Sequence, residues 1–267
     1  MGTQYRKAFT CVRYGRVNSI LCRLFCCYNK LMRHLPVIFI ILLLFVIHCN
    51  KRQDDIAGSW SFPSIAHGQF TDPRNNRTYK TVTIGNQTWM AENLDIGKLI
   101  PSRESREAHY DAEDDQVIEK YCYFNQARAC SVLGGLYEWP EAMQYSTTEG
   151  AQGVCPDGWH IPTDKEWLEL EAALGMPPEQ LDSIGYRGTN QGELLRDTVN
   201  IGYNVIMAGI RNVFGSFTTQ GHYFSTWTSS SVPSGQAWYR SILHNRGTIR
   251  RDTCSTCFGK CIRCIRD

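Results

Sequence analysis

The chain has 267 residues, and its hydrophobic fraction of 42% and aromatic fraction of 12% are those of a globular protein with one large domain or two small ones. A formal net charge of only +2 argues against a dedicated nucleic-acid-binding protein. The positive charge is concentrated in residues 1–34, which carry seven lysines and arginines and no acidic residue. This asymmetry indicates that the start of the chain sets its orientation in a membrane, and it does not indicate a surface that binds a partner.

An apolar run, residues 35–47, follows the basic segment and is shorter than the ~20 residues that a helix needs to span a bilayer. Cys49 and a polar stretch follow at once, so we predict that residues 1–49 form a leader and a lipoprotein-type signal peptide with Cys49 as the lipidated residue. Met32 is the expected translation start, and an uncleaved membrane anchor is the alternative. Either outcome exports the rest of the chain, and lipidation predicts attachment to the outer membrane or cell surface of a bacterium.

The folded domain is expected to begin after a tether. Residues 50–69 show little periodicity and are predicted to be that tether, which leaves residues 70–267 for the domain. Within residues 79–90, two strand-like runs flank Gly85-Asn86, which predicts a β-hairpin. Glycine in the first turn position favours a type II′ turn.

The clearest helix is predicted to follow Pro162. Thr163 is placed to cap this helix, and Glu166, three residues later, completes a capping box. Gly175 is expected to end it. A second, shorter helix is predicted over residues 136–143.

The C-terminal third is predicted to form short strands joined by glycine- and serine-rich loops. The expected strands are residues 204–210, 237–243, 248–251 and 260–265. The order of these elements, a hairpin followed by helices and then by strands, predicts an α+β domain in which two helices pack on short, mostly antiparallel strands. The two ends of this domain are expected to meet in one sheet.

Several segments, in order along the chain, resemble one protein family. They are Thr81-Val-Thr-Ile-Gly-Asn-Gln-Thr-Trp-Met-Ala-Glu-Asn-Leu94, Gly134-Gly-Leu-Tyr-Glu-Trp139, Gly153-Val-Cys-Pro-Asp-Gly-Trp-His-Ile-Pro-Thr-Asp164 and Ile262-Arg-Cys-Ile-Arg-Asp267. The chain is similar to the Fibrobacter succinogenes major paralogous domain, a family of bacterial surface lipoproteins. The resemblance implies a C-type-lectin-like fold with paired N- and C-terminal strands, a relationship shared with formylglycine-generating enzymes. It implies no settled activity.

Seven cysteines follow Cys49, and disulfides are the expected state in an exported protein. Cys122 and Cys130 bracket a short loop and are predicted to pair, while the resemblance implies a long bridge between Cys155 and Cys264. The remaining cysteines are candidates for one more disulfide or for free thiols: Cys254, Cys257 and Cys261.

Two kinds of chemistry are alternatives to disulfide stapling. Four thiolates within residues 254–264 form a candidate metal site, but only three residues separate its two Cys-x-x-Cys pairs, which makes wrapping a tetrahedral zinc ion difficult. We therefore predict neither a metal nor another cofactor. An oxidase related to formylglycine-generating enzymes would need an exposed thiol with a lowered pKa. His160 is expected to be structural, and Asp164 and Glu171 are expected to face solvent.

Aromatic residues crowd the C-terminal strands. The candidate binding residues are Tyr223, Trp227, Trp238 and Tyr239. Exposed aromatic rings stack on sugars and anchor protein interfaces, although core positions are the alternative for both tryptophans. We expect a non-catalytic binding or adhesion module that is held at the membrane by its lipid and meets a glycan or another envelope protein. A redox or metal-assisted enzyme and a ligand-free structural envelope protein are the alternatives.

Overall fold

The computed structural model describes residues 62–267, so the predicted signal peptide, Cys49 and most of the predicted tether lie outside the described residues. Strand β1, Ile65–Asp72, begins inside the segment predicted to be a tether. It pairs along its whole length with β2, Arg77–Ile84. The folded domain therefore starts at Ile65 rather than at Phe70. Most β1 side chains are exposed at this sheet edge, which explains why the sequence lacks a strand pattern there.

The first sheet contains five strands in the order β1-β2-β3-β13-β6. Its remaining strands are β3, Gln87–Met90; β6, Trp159–His160; and β13, Ile265–Arg266. Strands β2 and β3 form the predicted hairpin, and the left-handed φ of +62° at Gly85 suits the first position of its turn. Strand β13 pairs with both β3 and β6, so the two ends of the domain meet in one sheet, as predicted.

The second sheet has the order β10-β11-β12-β7, and all of its pairs are antiparallel. Its strands are β7, Gly185–Arg187; β10, Tyr223–Val232; β11, Gln236–Leu243; and β12, Ile249–Ser255. Strands β11 and β12 correspond to two of the predicted strands. Strand β10 was not predicted, because its serines and threonines are typical of a loop, although most of them are buried.

Two small strand pairs complete the β-structure of the described region. They are β4, Lys98–Leu99, with β5, Glu119–Lys120; and β8, Ile210–Arg211, with β9, Phe217–Thr218. The prediction of a strand over residues 204–210 is wrong, because only its last residue, Ile210, lies in a strand, β8. The strand predicted over residues 260–265 is reduced to isolated bridges at Lys260 and Cys261 before β13 begins.

The described residues contain five α-helices, not the two predicted, and one 3-10 helix, Tyr123–Asn125. The α-helices are α1, Ala127–Leu133; α2, Trp139–Ala142; α3, Asp164–Ala173; α4, Pro178–Leu181; and α5, Gln191–Arg196. In α3 the capping box is confirmed, since Thr163 Oγ1 accepts from the Glu166 amide and Glu166 Oε2 accepts from the Thr163 amide. The second predicted helix shrinks to α2, because Leu136 and Tyr137 make β-bridges instead.

Two carboxylates of α3 that were predicted to face solvent are buried instead. The Arg240 guanidinium, also buried, bonds Asp164 at 2.6 Å and Glu171 at 2.9 Å. Burial alone would raise the pKa of Asp164, but hydrogen bonds from Arg251 and Arg240 hold it below its usual value. This ion network joins α3 to the second sheet.

Two disulfides staple the domain, and they are the pairs predicted from the sequence and the resemblance. Cys122–Cys130 closes a short loop with a sequence separation of 8, and Cys155–Cys264 joins residues 109 positions apart. The long bridge fixes the C-terminal strand of the first sheet to the loop before β6. No helix in residues 62–267 is long and apolar enough to cross a membrane.

Candidate functional site

Two of the predicted binding aromatics are core residues, so that part of the prediction is wrong. Trp227 is fully buried, and its indole Nε1 donates to the Tyr137 carbonyl at 2.9 Å. Tyr239 lies directly opposite Trp227 on the neighbouring strand and is also buried. Neither ring has a free face that a ligand could contact.

The other two predicted aromatics, Tyr223 and Trp238, are half-buried but do not share a surface. Side chains alternate between the two faces of a sheet, so Tyr223 lies on the Trp227 side and Trp238 on the opposite side. The Trp238 ring is covered by the Arg251 guanidinium, 4.0 Å from the ring centroid. The four residues therefore form no single binding surface.

A buried lysine that the sequence analysis did not single out occupies the space among these aromatics. Lys260 Nζ lies 4.0 Å from the ring centroid of Tyr239 and 5.1 Å from that of Trp227, and it bonds Ser225 Oγ at 3.0 Å. Burial lowers the pKa of Lys260, while a hydrogen bond to Cys254 opposes that shift. The ammonium group thus fills an enclosed aromatic space, which leaves no room there for a ligand.

Among residues 62–267, the cysteines outside the two disulfides are Cys254, Cys257 and Cys261. Burial raises the pKa of the Cys254 thiol, and it raises that of Cys261 to about 12. An activated nucleophile needs the opposite shift. The candidate four-thiolate metal site is not available, because Cys264 is bonded to Cys155. Within residues 62–267, no group of three or more histidine, cysteine, aspartate or glutamate side chains could hold a metal ion.

His160 joins three parts of the fold. Its Nε2 lies 2.9 Å from Glu166 Oε1 at the start of α3, and its Nδ1 lies 2.6 Å from Asp267 Oδ1 beyond β13. The hydrogen bond with Glu166 raises the pKa of His160, and the bond with Asp267 adds to this shift. These contacts favour the structural role expected from the sequence.

The most exposed aromatic side chain of the described region is Phe124, in the short disulfide loop. We call Phe124 and the two rings that it contacts, Tyr123 and Phe217, the aromatic platform. Phe124 is 63% exposed, and its ring meets that of Tyr123 edge-to-face at 4.7 Å. Phe217, on β9, contacts both rings, at 5.3 Å from Tyr123 and 6.2 Å from Phe124. Tyr123 is buried beneath Phe124, so the platform is rooted in the core.

The backbone beneath the platform is strained. Phe124 has a φ of 55°, a left-handed conformation that costs such a residue about 1–2 kcal/mol, and Asn125 follows with a φ of 58°, which asparagine tolerates more readily. Two such residues in succession persist only where the surrounding structure holds them. Here the Cys122–Cys130 disulfide spans the loop, and Ser102 exchanges two hydrogen bonds with the Asn125 side chain, at 2.8 and 3.4 Å.

A buried arginine holds Ser102 in turn. Arg211 Nε donates to Ser102 Oγ at 2.7 Å, and Arg211 Nη2 pairs with Asp111 at 2.7 Å. Its guanidinium also lies over the Tyr121 ring, 4.6 Å from the centroid. Residues 102–120, which are rich in charged side chains, are thereby tied to the core. A continuous chain of contacts runs from Arg211 through Ser102 to the platform.

Sequence reasoning missed the platform residues. The only sequence signal near them was the pair of cysteines that brackets the loop, because the exposure of Phe124 depends on a left-handed backbone that no local pattern indicates. Three polar loop residues near the platform are exposed: Gln126, Thr219 and Gln220. The backbone N–H of Gln220 donates to Tyr123 Oη at 3.3 Å.

A comparison of the sequence with protein-family models identifies the family of this chain. The model described as the Fibrobacter succinogenes major domain matches residues 82–266. The chain belongs to this family. The Fibrobacter succinogenes major domain thus contains the platform, both disulfides and both main sheets except β1 and the start of β2. Searches of curated proteins and of solved structures gave no match.

Proposed function

We propose that this Fibrobacter succinogenes major domain is a non-catalytic binding module that contacts a glycan through the aromatic platform. The observation that carries the proposal is Phe124, whose largely exposed ring sits on a strained backbone closed by a disulfide. Strained backbone persists preferentially at ligand-binding sites, where a fixed side-chain direction is needed. A ring held rigidly loses little entropy when a ligand binds.

The chemistry around Phe124 favours a sugar over a purely apolar ligand. The apolar face of a pyranose ring stacks on an exposed aromatic ring, and its hydroxyl groups need hydrogen-bond partners at the edge. Gln126, Thr219 and Gln220 are exposed, lie within three residues of Tyr123 or Phe217 along the chain, and carry both donors and acceptors. A protein partner in the envelope is the other ligand class to be tested.

The fold and cellular location are part of the same proposal. We infer a C-type-lectin-like fold, which is supported by the pairing of β13 with β3 and by the long bridge from Cys155 to Cys264. We also infer export and lipid attachment at Cys49. Two disulfides support an oxidising compartment, since cytosolic thiols are kept reduced. The raised pKa values of Cys254 and Cys261 give less support to a redox enzyme.

An array of immobilised glycans tests the binding function. The full chain in detergent is applied as wild type, as Phe124→Ala and as Val132→Ala. Val132 is a matched control, because it is 65% exposed and lies on α1 at the end of the same loop region. Binding by the wild type and by Val132→Ala, with at least tenfold weaker binding by Phe124→Ala, supports the proposal. The absence of glycan binding by the wild type contradicts it and favours a protein partner or a structural role.

A further inference from the structure

Two histidines face each other at the open end of the β10–β11 hairpin. His222 immediately precedes β10 and His244 immediately follows β11, and the last pair of the ladder is Tyr223 opposite Leu243. The His244 amide donates to the His222 carbonyl at 3.0 Å, which extends the pairing by one residue. Directly opposed residues on antiparallel strands project their side chains from the same face. The pairing of the two strands therefore places the two imidazole rings next to each other.

The two ring nitrogens are close enough to share one metal ion, and their separation is at the long end for a direct hydrogen bond. The two Nδ1 atoms are 3.4 Å apart, and the ring centroids are 4.7 Å apart. A hydrogen bond from a ring nitrogen is normally about 2.7–3.2 Å long. Two nitrogens that each lie about 2.0–2.1 Å from a tetrahedral Zn²⁺ ion are separated by about 3.3–3.4 Å. The observed separation matches the second arrangement.

The histidine pair is accessible, and the backbone that follows β11 and carries His244 is held in place. Both side chains are exposed, so an ion can reach them without opening the fold. The turn after β11 is fixed by Arg196, whose Nη1 donates to the carbonyls of Leu243 at 2.8 Å and Arg246 at 2.7 Å. Little reorganisation is then needed to present the two nitrogens together.

We propose that His222 and His244 form a two-histidine site for a divalent transition-metal ion of the zinc type, bound through both Nδ1 atoms. Neutral imidazole suits Zn²⁺ and its neighbours, with the proton of each ring on Nε2. Since no third protein ligand completes a metal cluster within residues 62–267, water occupies the remaining positions. The ion would clamp the ends of β10 and β11 together. This site is independent of the aromatic platform.

Zinc titration of the full chain tests the site. The chain is purified without a histidine tag, kept in detergent, and treated with N-ethylmaleimide so that accessible thiols do not compete. Wild type, His222→Ala, His244→Ala and His67→Ala are titrated with ZnCl₂ by calorimetry. His67 is the matched control, because it is an exposed histidine on β1. We expect one site in the wild type and in His67→Ala, and at least tenfold weaker binding in each of the other two variants.

X-ray absorption at the zinc edge identifies the ligands independently of affinity. The expected spectrum of the zinc-loaded wild type shows two imidazole nitrogens about 2.0 Å from the ion, whereas cysteine ligands would appear at about 2.3 Å. His222→Gln serves as a second variant should His222→Ala fold poorly. Equal binding by wild type and both pair variants, a sulfur-dominated spectrum, or no zinc uptake by the wild type would overturn the proposal.

Discussion

The long disulfide is expected to stabilise the domain much more than the short one. The perturbations are the double variants Cys155→Ser/Cys264→Ser and Cys122→Ser/Cys130→Ser. In the chain-entropy model, the separation of 109 residues corresponds to about 4.8 kcal/mol of stabilisation and the separation of 8 to about 2.5 kcal/mol. All four cysteines are buried, so the cost of burying serine hydroxyls is similar in both variants and largely cancels in their comparison.

Thermal unfolding of the full chain in detergent, followed by circular dichroism, measures this difference. A difference of about 2.3 kcal/mol corresponds to about 5–9 °C in Tm for a domain of this size. Wild type is therefore expected to have the highest Tm, followed by the variant without the short bridge and then by the variant without the long bridge. Equal losses in the two variants, or a larger loss without the short bridge, would refute the reasoning from loop length.

Three further predictions concern stability. Phe124→Gly is expected to be about 1 kcal/mol more stable than Phe124→Ala in urea unfolding, because only glycine adopts a left-handed backbone without strain. Arg240→Met is expected to lose about 2–4 kcal/mol in the same assay, because it removes one of the two guanidinium partners of both Asp164 and Glu171, which keep only Arg251 and Arg187. The hydrogen bonds of His160 raise its pKa in the folded protein. Their contribution to the free energy of unfolding is therefore complete below the pKa of an unfolded histidine, about 6.5, and is lost as the pH rises through the pKa of the folded state. Between pH 6 and pH 9, Tm is therefore expected to fall less in His160→Gln than in wild type.

Each of these predictions has an outcome that contradicts it. A glycine variant at position 124 that is less stable than the alanine variant would mean that the backbone there is not strained. A loss below 1 kcal/mol in Arg240→Met would mean that the ion network contributes little to folding. Parallel pH profiles for wild type and His160→Gln would mean that protonation of His160 is not linked to folding.

Some elements of the fold were predicted because their signals are local. The β2–β3 hairpin follows from a glycine at a turn position, and α3 follows from the capping box of Thr163 and Glu166. The predicted disulfides follow from a short bracketed loop and from the family resemblance. For the hairpin, the helix and the short disulfide, a few residues near one another in the sequence determine the conformation, whereas the long disulfide was predicted from the resemblance alone.

Other elements depend on tertiary contacts that the sequence does not display. Strand β1 is an exposed edge strand without hydrophobic alternation, and β10 is rich in serine and threonine although it is largely buried. Trp227 and Tyr239 were candidates for the surface, but the second sheet places them in the core beside Lys260. Phe124 is exposed only because its loop is held in a left-handed conformation. Burial and exposure at these positions are properties of the assembled fold.

A ligand titration with two aromatic variants tests most directly whether Phe124 is the contact residue. The oligosaccharide bound most tightly on the glycan array is titrated into wild type, Phe124→Ala and Trp238→Ala. Trp238 is the appropriate comparison, because it is a half-buried aromatic residue of the second sheet that the sequence alone suggested as a binding residue. Binding through the platform predicts at least tenfold weaker affinity for Phe124→Ala and unchanged affinity for Trp238→Ala. Unchanged affinity for Phe124→Ala, with loss of binding in Trp238→Ala, would contradict it.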